Sequence, residues 1–219
     1  MIKYNCYKNI VTIYTFKMKK RIFLIVSFLL VSILIFIQIN SIMATNNTET
    51  QAYRIIKAEK DFEIRFYPPA TLATVTISAK SYKELASPGF RKLANFIFGG
   101  NESNKSISMT TPVHMDIKDT ASSMSFVMPS AYTKQNLPKP NDPNVIISTT
   151  SEDYVAAIRF SGYASDSDIK RYSVKLKNAL ISSGIEFYGN FRFLGYNAPY
   201  QFWGRRNEII VSIRWNTSN

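Results

Sequence analysis

The sequence predicts an α+β fold, a pseudo-two-fold distorted β-barrel of two roughly four-stranded antiparallel sheets with two main helices packed outside. Two observations support this prediction. The order strand, strand, helix, strand, strand occurs twice between residues 62 and 213. Apolar residues make up 46% of the 219 residues and aromatic residues 14%, so the chain can bury a substantial core. One main domain after a short N-terminal region is therefore expected.

The N-terminal region has the composition of an export signal or a membrane anchor. Six bases precede Ile22, and sixteen residues at 22–37 are then interrupted only by Ser27 and Ser32. Ala44 offers a cleavage site. If the segment is not removed, it approaches the roughly 20 residues that span a bilayer. We expect a signal peptide or anchor at 1–44, a polar linker at 45–52 and a binding domain at 53–215. The protein is then either exported to the periplasm or the extracellular space, or anchored in a membrane.

The first half of the body contains four predicted strands and a helix. Alternating or apolar runs predict the strands, which lie at 62–67, 72–77, 107–117 and 124–128. The helical stripe consists of Phe90, Leu93, Ala94 and Ile97. Pro88-Gly89 is expected to separate this helix from a shorter leading turn at 82–86.

The second half repeats this order. Its predicted strands lie at 145–148, 154–160, 187–196 and 207–213. Ser165 is a plausible N-cap for a helix whose apolar stripe ends near Gly184. The repeated order suggests the pseudo-two-fold relation between the halves.

The charge and the motifs exclude several functions. The net charge is +12, but without the six bases before Ile22 the chain holds 21 basic and 15 acidic residues, which weakens a nucleic-acid partner. The sequence lacks G-x-S-x-G, G-x-G-x-x-G and P-loop motifs. One histidine and one cysteine, Cys6, cannot build a zinc site. We expect a binding domain with no catalytic residues and no protein-held metal site.

A few residues remain as binding candidates. His114 is either an axial ligand to haem iron or an ordinary strand residue. Met109 and the nearby methionines either ligate or fill an apolar wall. Arg205 and Arg206 form either an anion clamp or a paired turn with Glu208 or neighbouring backbone as partner.

Several segments together resemble the SOUL haem-binding protein family, over about residues 53–213. The most specific is Met-Thr-Thr-Pro-Val at 109–113, preceded by apolar Ile107. The other segments are Glu-Ile-Arg-Phe-Tyr at 63–67, Phe-Val-Met-Pro at 126–129, Tyr-Asn-Ala-Pro-Tyr at 196–200 and Arg-Arg-Asn-Glu-Ile at 205–209. The resemblance implies non-enzymatic binding of haem or a related tetrapyrrole, held non-covalently in a surface apolar cleft.

The resemblance also suggests where the ligand lies. Phe66 stands where one branch of the family has a histidine proposed as axial ligand. The apolar wall of the other branch matches Phe90, Leu93, Ala94 and Ile97, with Lys92 as the surviving base near a propionate. Other matching basic positions are uncharged: Ser87, Asn95 and Gln201.

Three functions follow as hypotheses. The first is tetrapyrrole binding outside the cytoplasm. The others are a protein-interaction or scaffold domain that kept the fold without haem, and a domain that binds another flat hydrophobic molecule. A haem-binding domain is expected to leave Phe90, Leu93 and Ile97 partly exposed along a groove beside a base, whereas a scaffold buries them.

Overall fold

The computed structural model describes the backbone of residues 2–215 and the side chains of residues 18–44 and 47–215. The chain divides into two compact units, residues 1–44 and 45–219. The first unit belongs to helix α1, Ile2–Asn47. Within it, the segment Met18–Ala44 has a mean hydropathy of 3.0 and is long enough to cross a membrane, a property that signal sequences share.

The second unit combines nine strands with two helices. The strands are β1 (Arg54–Ala58), β2 (Glu63–Tyr67), β3 (Thr71–Ile77), β4 (Val113–Asp116), β5 (Ser122–Val127), β6 (Val145–Thr149), β7 (Asp153–Phe160), β8 (Phe187–Gly195) and β9 (Asn207–Ile213). The helices are α2 (Tyr82–Ile97) and α3 (Asp166–Ser182). The α+β class is therefore confirmed.

All nine strands form one antiparallel sheet in the order β1-β2-β7-β9-β8-β4-β5-β3-β6. The prediction of two four-stranded sheets in a barrel is wrong, because β4 pairs with β8, with His114 opposite Leu194. This pairing joins the two groups β2-β7-β9-β8 and β4-β5-β3-β6 into a single sheet. Among the described residues β1 and β6 lie at opposite edges and do not pair, so the sheet is not closed.

The strand order is nonetheless symmetric. When β2 to β5 are exchanged in sequence order with β6 to β9, the order of the eight strands other than β1 reads the same from either end. The pseudo-two-fold relation therefore passes between β4 and β8. Each half also lends one strand to the other, since β2 pairs with β7 and β6 pairs with β3.

Both helices pack on one side of the sheet, here called the helix face. Helix α2 lies over β3, β5 and β6, and α3 lies over β7, β8 and β9. The core between them contains Leu85 and Leu93 of α2 and Leu176 and Leu180 of α3, all 0% exposed. Because side chains alternate along a strand, neighbouring residues point to the opposite side, here called the far face. The far face has its own smaller apolar cluster, which includes Tyr67, Val155, Ala157, Leu194, Tyr196 and Ile210.

Helix α2 is continuous through Pro88, whereas the sequence predicted a break there. Leu85 and Leu93, on either side of the proline, are both fully buried. A Cβ on Gly89 would lie 3.2 Å from the Met124 methyl carbon, so the helix packs closely on β5 at this point. Tertiary packing thus outweighs the local cost of the proline.

The segment expected to be a linker is ordered against the body. Helix α1 extends to Asn47, and residues 49–51 pair with Thr111 just before β4. The Gln51 N–H donates to the Thr111 carbonyl at 2.7 Å, and the Thr111 N–H donates to the Glu49 carbonyl at 2.9 Å. This short pairing places the Gln51 side chain beside β4.

Candidate functional site

The apolar wall expected on α2 lies mostly inside the core. Leu93 and Ile97 are 0% and 1% exposed, so neither can line a surface cleft. Ala94 and Phe90 are partly buried, and the Phe90 ring centroid lies 5.3 Å from that of Phe126. Of the wall, only these two retain accessible surface.

The base expected beside that wall already has a partner. Lys92 donates to Asp142 at 2.9 Å, and this bond together with Asn144 lowers the pKa of Asp142 to about 2. Met109 is partly buried against the same core. The candidate residues on the helix face therefore mainly contact other residues of the folded domain.

Phe66 lies apart from the α2 wall. It belongs to β2, which pairs with β7 in the half of the sheet that α3 covers. Its ring centroid lies 5.1 Å from that of Tyr154, and the Arg54 guanidinium lies 5.4 Å from the Phe66 ring. The fold does not bring Phe66 together with Phe90.

His114 lies on the far face, opposite the side on which α2 packs. Its β4 neighbours Val113 and Met115 point into the helix-face core, so the imidazole points the other way. The Nε2 atom lies 2.7 Å from Oε1 of Gln51. Burial, and then the positive charge of Arg192, lower the pKa of His114 to about 3, so the imidazole is neutral at physiological pH.

His114 lines a pocket of about 270 Å³, here called the far-face pocket. Apolar side chains of three strands contribute to it, namely Leu72 of β3, Val155 of β7 and Ile210 of β9. Two tyrosines, Tyr67 and Tyr188, line it as well. The pocket thus combines apolar side chains with one neutral imidazole.

The charged side of this pocket is a small hydrogen-bonded group. Arg192 donates to Asp153 at 3.2 Å and to the Ser212 hydroxyl at 3.1 Å. The Ser212 hydroxyl in turn donates to Asp153 at 2.7 Å. The Arg192 side chain is 31% exposed, so it is not fully covered by these partners.

A second recess of about 600 Å³ shares Gln51 with the far-face pocket. Its lining combines apolar residues and a base: Pro68, Pro69, Val127, Met128, Tyr132 and Lys134. Gln51 therefore separates two adjacent openings of the surface.

A buried charge cluster lies on the same face around Glu208, which is 0% exposed. Arg65 donates to both Glu208 carboxylate oxygens, at 2.7 and 3.0 Å. Arg206 donates to it at 2.9 Å, and the Tyr196 hydroxyl donates at 2.9 Å. Burial alone would raise the pKa of Glu208, but Arg65 and Arg206 hold it below its usual value. Among the described residues, the charged and hydroxyl groups of this cluster hydrogen-bond to one another. The bonds join Arg65 of β2 to Glu208 of β9.

The arginine pair therefore has internal partners. Arg206 bonds Glu208 and also donates to the Tyr53 hydroxyl at 2.9 Å. Arg205 donates to the carbonyls of Ala198 and Gln201 at 2.7 and 2.8 Å. These are the partners of a structured turn, and Arg206 points toward the charge cluster.

Sequence reasoning missed Gln51, Tyr188 and Arg192 as pocket residues, and Arg65 as the partner of Glu208. Alternation along residues 187–196 does place Arg192 and Leu194 on one face. It cannot show that β8 lies beside β4, which brings Arg192 near His114. No cluster of three or more histidine, cysteine or carboxylate side chains that could hold a metal occurs among the described residues.

Known proteins resemble this chain in sequence and in fold. The family model described as SOUL heme-binding protein matches residues 48–212. Heme-binding protein 1 of Xenopus laevis is 28% identical over 166 residues, which cover 71% of this chain and 86% of that protein. Heme-binding protein 2 of Mus musculus is 28% identical over 156 residues, covering 68% and 76%.

Among solved structures, the EcmrR C-terminal domain matches with a TM-score of 0.57 over 75% of this chain and 99% of that domain. Its 8% sequence identity limits the likeness to the fold. The family model, by contrast, matches well over half of the sequence and covers all nine strands except the last residue of β9. This chain belongs to the SOUL haem-binding protein family.

Proposed function

We propose that this protein binds haem or a related tetrapyrrole non-covalently and without catalysis, in the far-face pocket. One observation carries the location: in a chain of a haem-binding family, the single histidine is a neutral imidazole that lines a partly apolar pocket. A neutral imidazole is the usual protein ligand of haem iron. A bound haem would supply the iron centre, and His114 would hold it.

The residues of the pocket fit such a group. In the far-face pocket, Leu72, Val155 and Ile210 offer apolar contact, and Arg192, which is paired with Asp153, offers positive charge for a carboxylate. Lys134 lines the adjoining recess and offers a second positive charge there. The pocket volume of about 270 Å³ is below the range of typical ligand sites, about 300–1,000 Å³, so a tetrapyrrole would also have to occupy the adjoining recess. The adjoining recess of about 600 Å³ extends the available surface beyond Gln51.

Gln51 controls access to the imidazole. Its Oε1 atom lies 2.7 Å from Nε2 of His114, so ligation of iron through Nε2 would require the Gln51 side chain to move. In the unliganded protein the His114 imidazole is hydrogen-bonded to Gln51. Breaking this hydrogen bond offsets part of the free energy of haem binding.

We propose that the protein acts outside the cytoplasm or at a membrane surface, without a nucleic-acid partner. The apolar segment Met18–Ala44 supports this placement. The excess of bases before Ile22 lies on the N-terminal side of that segment, where it favours a cytoplasmic N-terminus.

A scaffold domain without haem is a second candidate. The full burial of Leu93 and Ile97 favours it, because the wall implied by the family is then part of the core. A domain that binds another flat hydrophobic ligand would use the same far-face pocket.

A hemin titration of the full chain in detergent, with protein-free micelles as the blank, tests the proposal. We expect a saturable shift of the Soret band, at least tenfold weaker binding and an altered band in His114→Ala, and unchanged binding in Lys92→Ala on the helix face. Gln51→Ala should bind more tightly.

Two results would contradict the assignment. No saturable shift in the wild type would favour the scaffold. If Lys92→Ala loses hemin binding and His114→Ala does not, the site lies on α2 and not in the far-face pocket. Circular dichroism of each variant shows that the fold is retained.

A further inference from the structure

The two edges of the open sheet differ in how they resist pairing with another strand. Natural sheets protect exposed edges with lysines, bulges and irregular strands. Edge strand β1 has these features: Arg54 and Lys57 are exposed, and the register with β2 shifts between Ile55 and Lys57. This edge is therefore unsuited to pairing.

The opposite edge, β6, lacks such protection. Residues 144–151 contain no charged side chain, and the register of β6 with β3 is unbroken. Ile146 is 59% exposed on the far face, while Val145 and Ile147 pack toward the helix-face core. A regular, uncharged strand with an exposed isoleucine is a favourable template for another strand.

The ladder shows which backbone groups of β6 point outward. The Thr150 N–H donates to the Ala70 carbonyl at 2.9 Å, so Thr150 faces inward. Because the direction alternates along an antiparallel strand, the N–H and C=O groups of Ile147 and Thr149 point away from β3. In the part of the chain that the structure describes, no strand lies beyond β6 to receive them.

We propose that β6 is an interaction surface on which a second copy of this chain pairs, β6 against β6, in antiparallel orientation. Antiparallel pairing of a strand with itself is a closed two-fold contact. With Ile147 at the centre, its N–H and C=O meet those of Ile147 in the second copy. The Thr149 N–H donates to the Val145 carbonyl of the other copy, while the Val145 N–H stays bonded to the Asp142 carbonyl at 3.1 Å.

The composition of β6 favours pairing with the same strand of a second copy, which that of the basic edge strand β1 does not. Self-pairing places Ile146 opposite Ser148, so no like charges meet along the strand, whereas two β1 edges would bring bases together. A five-residue strand buries less area than the about 1,200 Å² of a standard interface. The dimer is therefore weak and forms at high local concentration.

Sedimentation velocity of the full chain in detergent, at protein concentrations up to about 1 mM, tests this proposal. Ile146→Lys places a charge at the contact, and we expect it to raise the dimer dissociation constant at least tenfold. Ile55→Lys is the matched control, because Ile55 is 50% exposed on the other edge strand. It should leave dimerisation unchanged.

Thr149→Pro is the second variant, since it removes one outward N–H without touching the ladder to β3. It should weaken the dimer as Ile146→Lys does, and the far-ultraviolet circular dichroism of the monomer should stay that of the wild type. A wild-type chain that remains monomeric over the whole range overturns the proposal. Equal dissociation constants for Ile146→Lys and Ile55→Lys also overturn it.

Discussion

Glu208 shows how a charge becomes tolerable in the interior of this protein. A buried carboxylate is costly unless hydrogen bonds and opposite charges compensate for its lost hydration. Glu208 receives hydrogen bonds from Arg65, Arg206 and Tyr196, which come from β2, the turn before β9 and the end of β8. The Tyr53 ring covers the Arg65 guanidinium at 4.3 Å. One side chain thus joins β2 to the segment around β8 and β9, which is 143 residues away in sequence from Arg65.

We predict that Glu208→Gln destabilises the fold by about 3–5 kcal/mol, because it leaves two cations buried with less compensation. Urea unfolding followed by tryptophan fluorescence measures this change. Glu186→Gln is the matched control: Glu186 is 74% exposed and pairs with Arg214 at 3.5 Å, so little change is expected. Similar losses for the two variants would show that the charge cluster does not contribute as proposed.

Only part of this cluster could be read from the sequence. Arg206 and Glu208 are two residues apart on one strand face, so their pairing was an available alternative. The partner Arg65 lies 143 residues away, and its contact depends on β2 reaching β9 through β7. The sequence also left open whether His114 faces solvent or a ligand, because Gln51 approaches it only in the folded chain.

At the scale of single elements, local patterns were reliable for strands. Alternation placed Leu72, Thr74 and Thr76 on one face of β3 and their neighbours on the other, and Ala73 and Val75 are indeed 0% exposed in the core. The long strand expected at 107–117 is shorter, Val113–Asp116. Its first part instead contacts residues outside the sheet, for example through the Thr111 bonds to 49–51.

Helix α1 carries a prediction about processing. If 18–44 directs export, the mature protein either begins at Thr45 in a soluble exported fraction or keeps the apolar segment and stays with membranes after carbonate extraction. N-terminal sequencing of both fractions distinguishes these outcomes. An intact chain in the soluble cytoplasmic fraction would contradict export and anchoring alike.

For the molecule as a whole, burial of His114 predicts that the fold becomes less stable in acid. Its pKa falls from 6.5 to about 3 on folding, so the unfolded chain binds the extra proton first. The stability that depends on neutral His114 is complete above pH 6.5 and is lost progressively as the pH falls toward 3. The free energy of unfolding should decrease by up to about 1.4 kcal/mol per pH unit in this range.

Urea unfolding between pH 7 and pH 5 measures this slope. His114→Gln should flatten it in that window, because Glu208 has a lowered pKa and loses its contribution only below its ordinary value of 4.5. If the free energy of unfolding changes with pH in the same way in the wild type and in His114→Gln, His114 does not titrate as its burial implies.

The whole sheet was the least predictable feature. The repeated element order correctly suggested a pseudo-two-fold relation, but a pattern of burial does not specify which strand lies beside which. The join between β4 and β8 turned two expected sheets into one. The candidate site residues were affected in the same way, since His114 lies on the far face of the sheet and the α2 candidates lie on the helix face.

The exchange of strands between the halves has a consequence for synthesis of the chain. β2, at 63–67, cannot pair with β7 until residues 153–157 have left the ribosome, and β3 also waits for β6. The first half therefore emerges with β2 unpaired on its β7 side and β3 unpaired on its β6 side. The complete sheet cannot form until nearly the whole body is made, which lengthens the interval in which a nascent chain is open to aggregation and to chaperones.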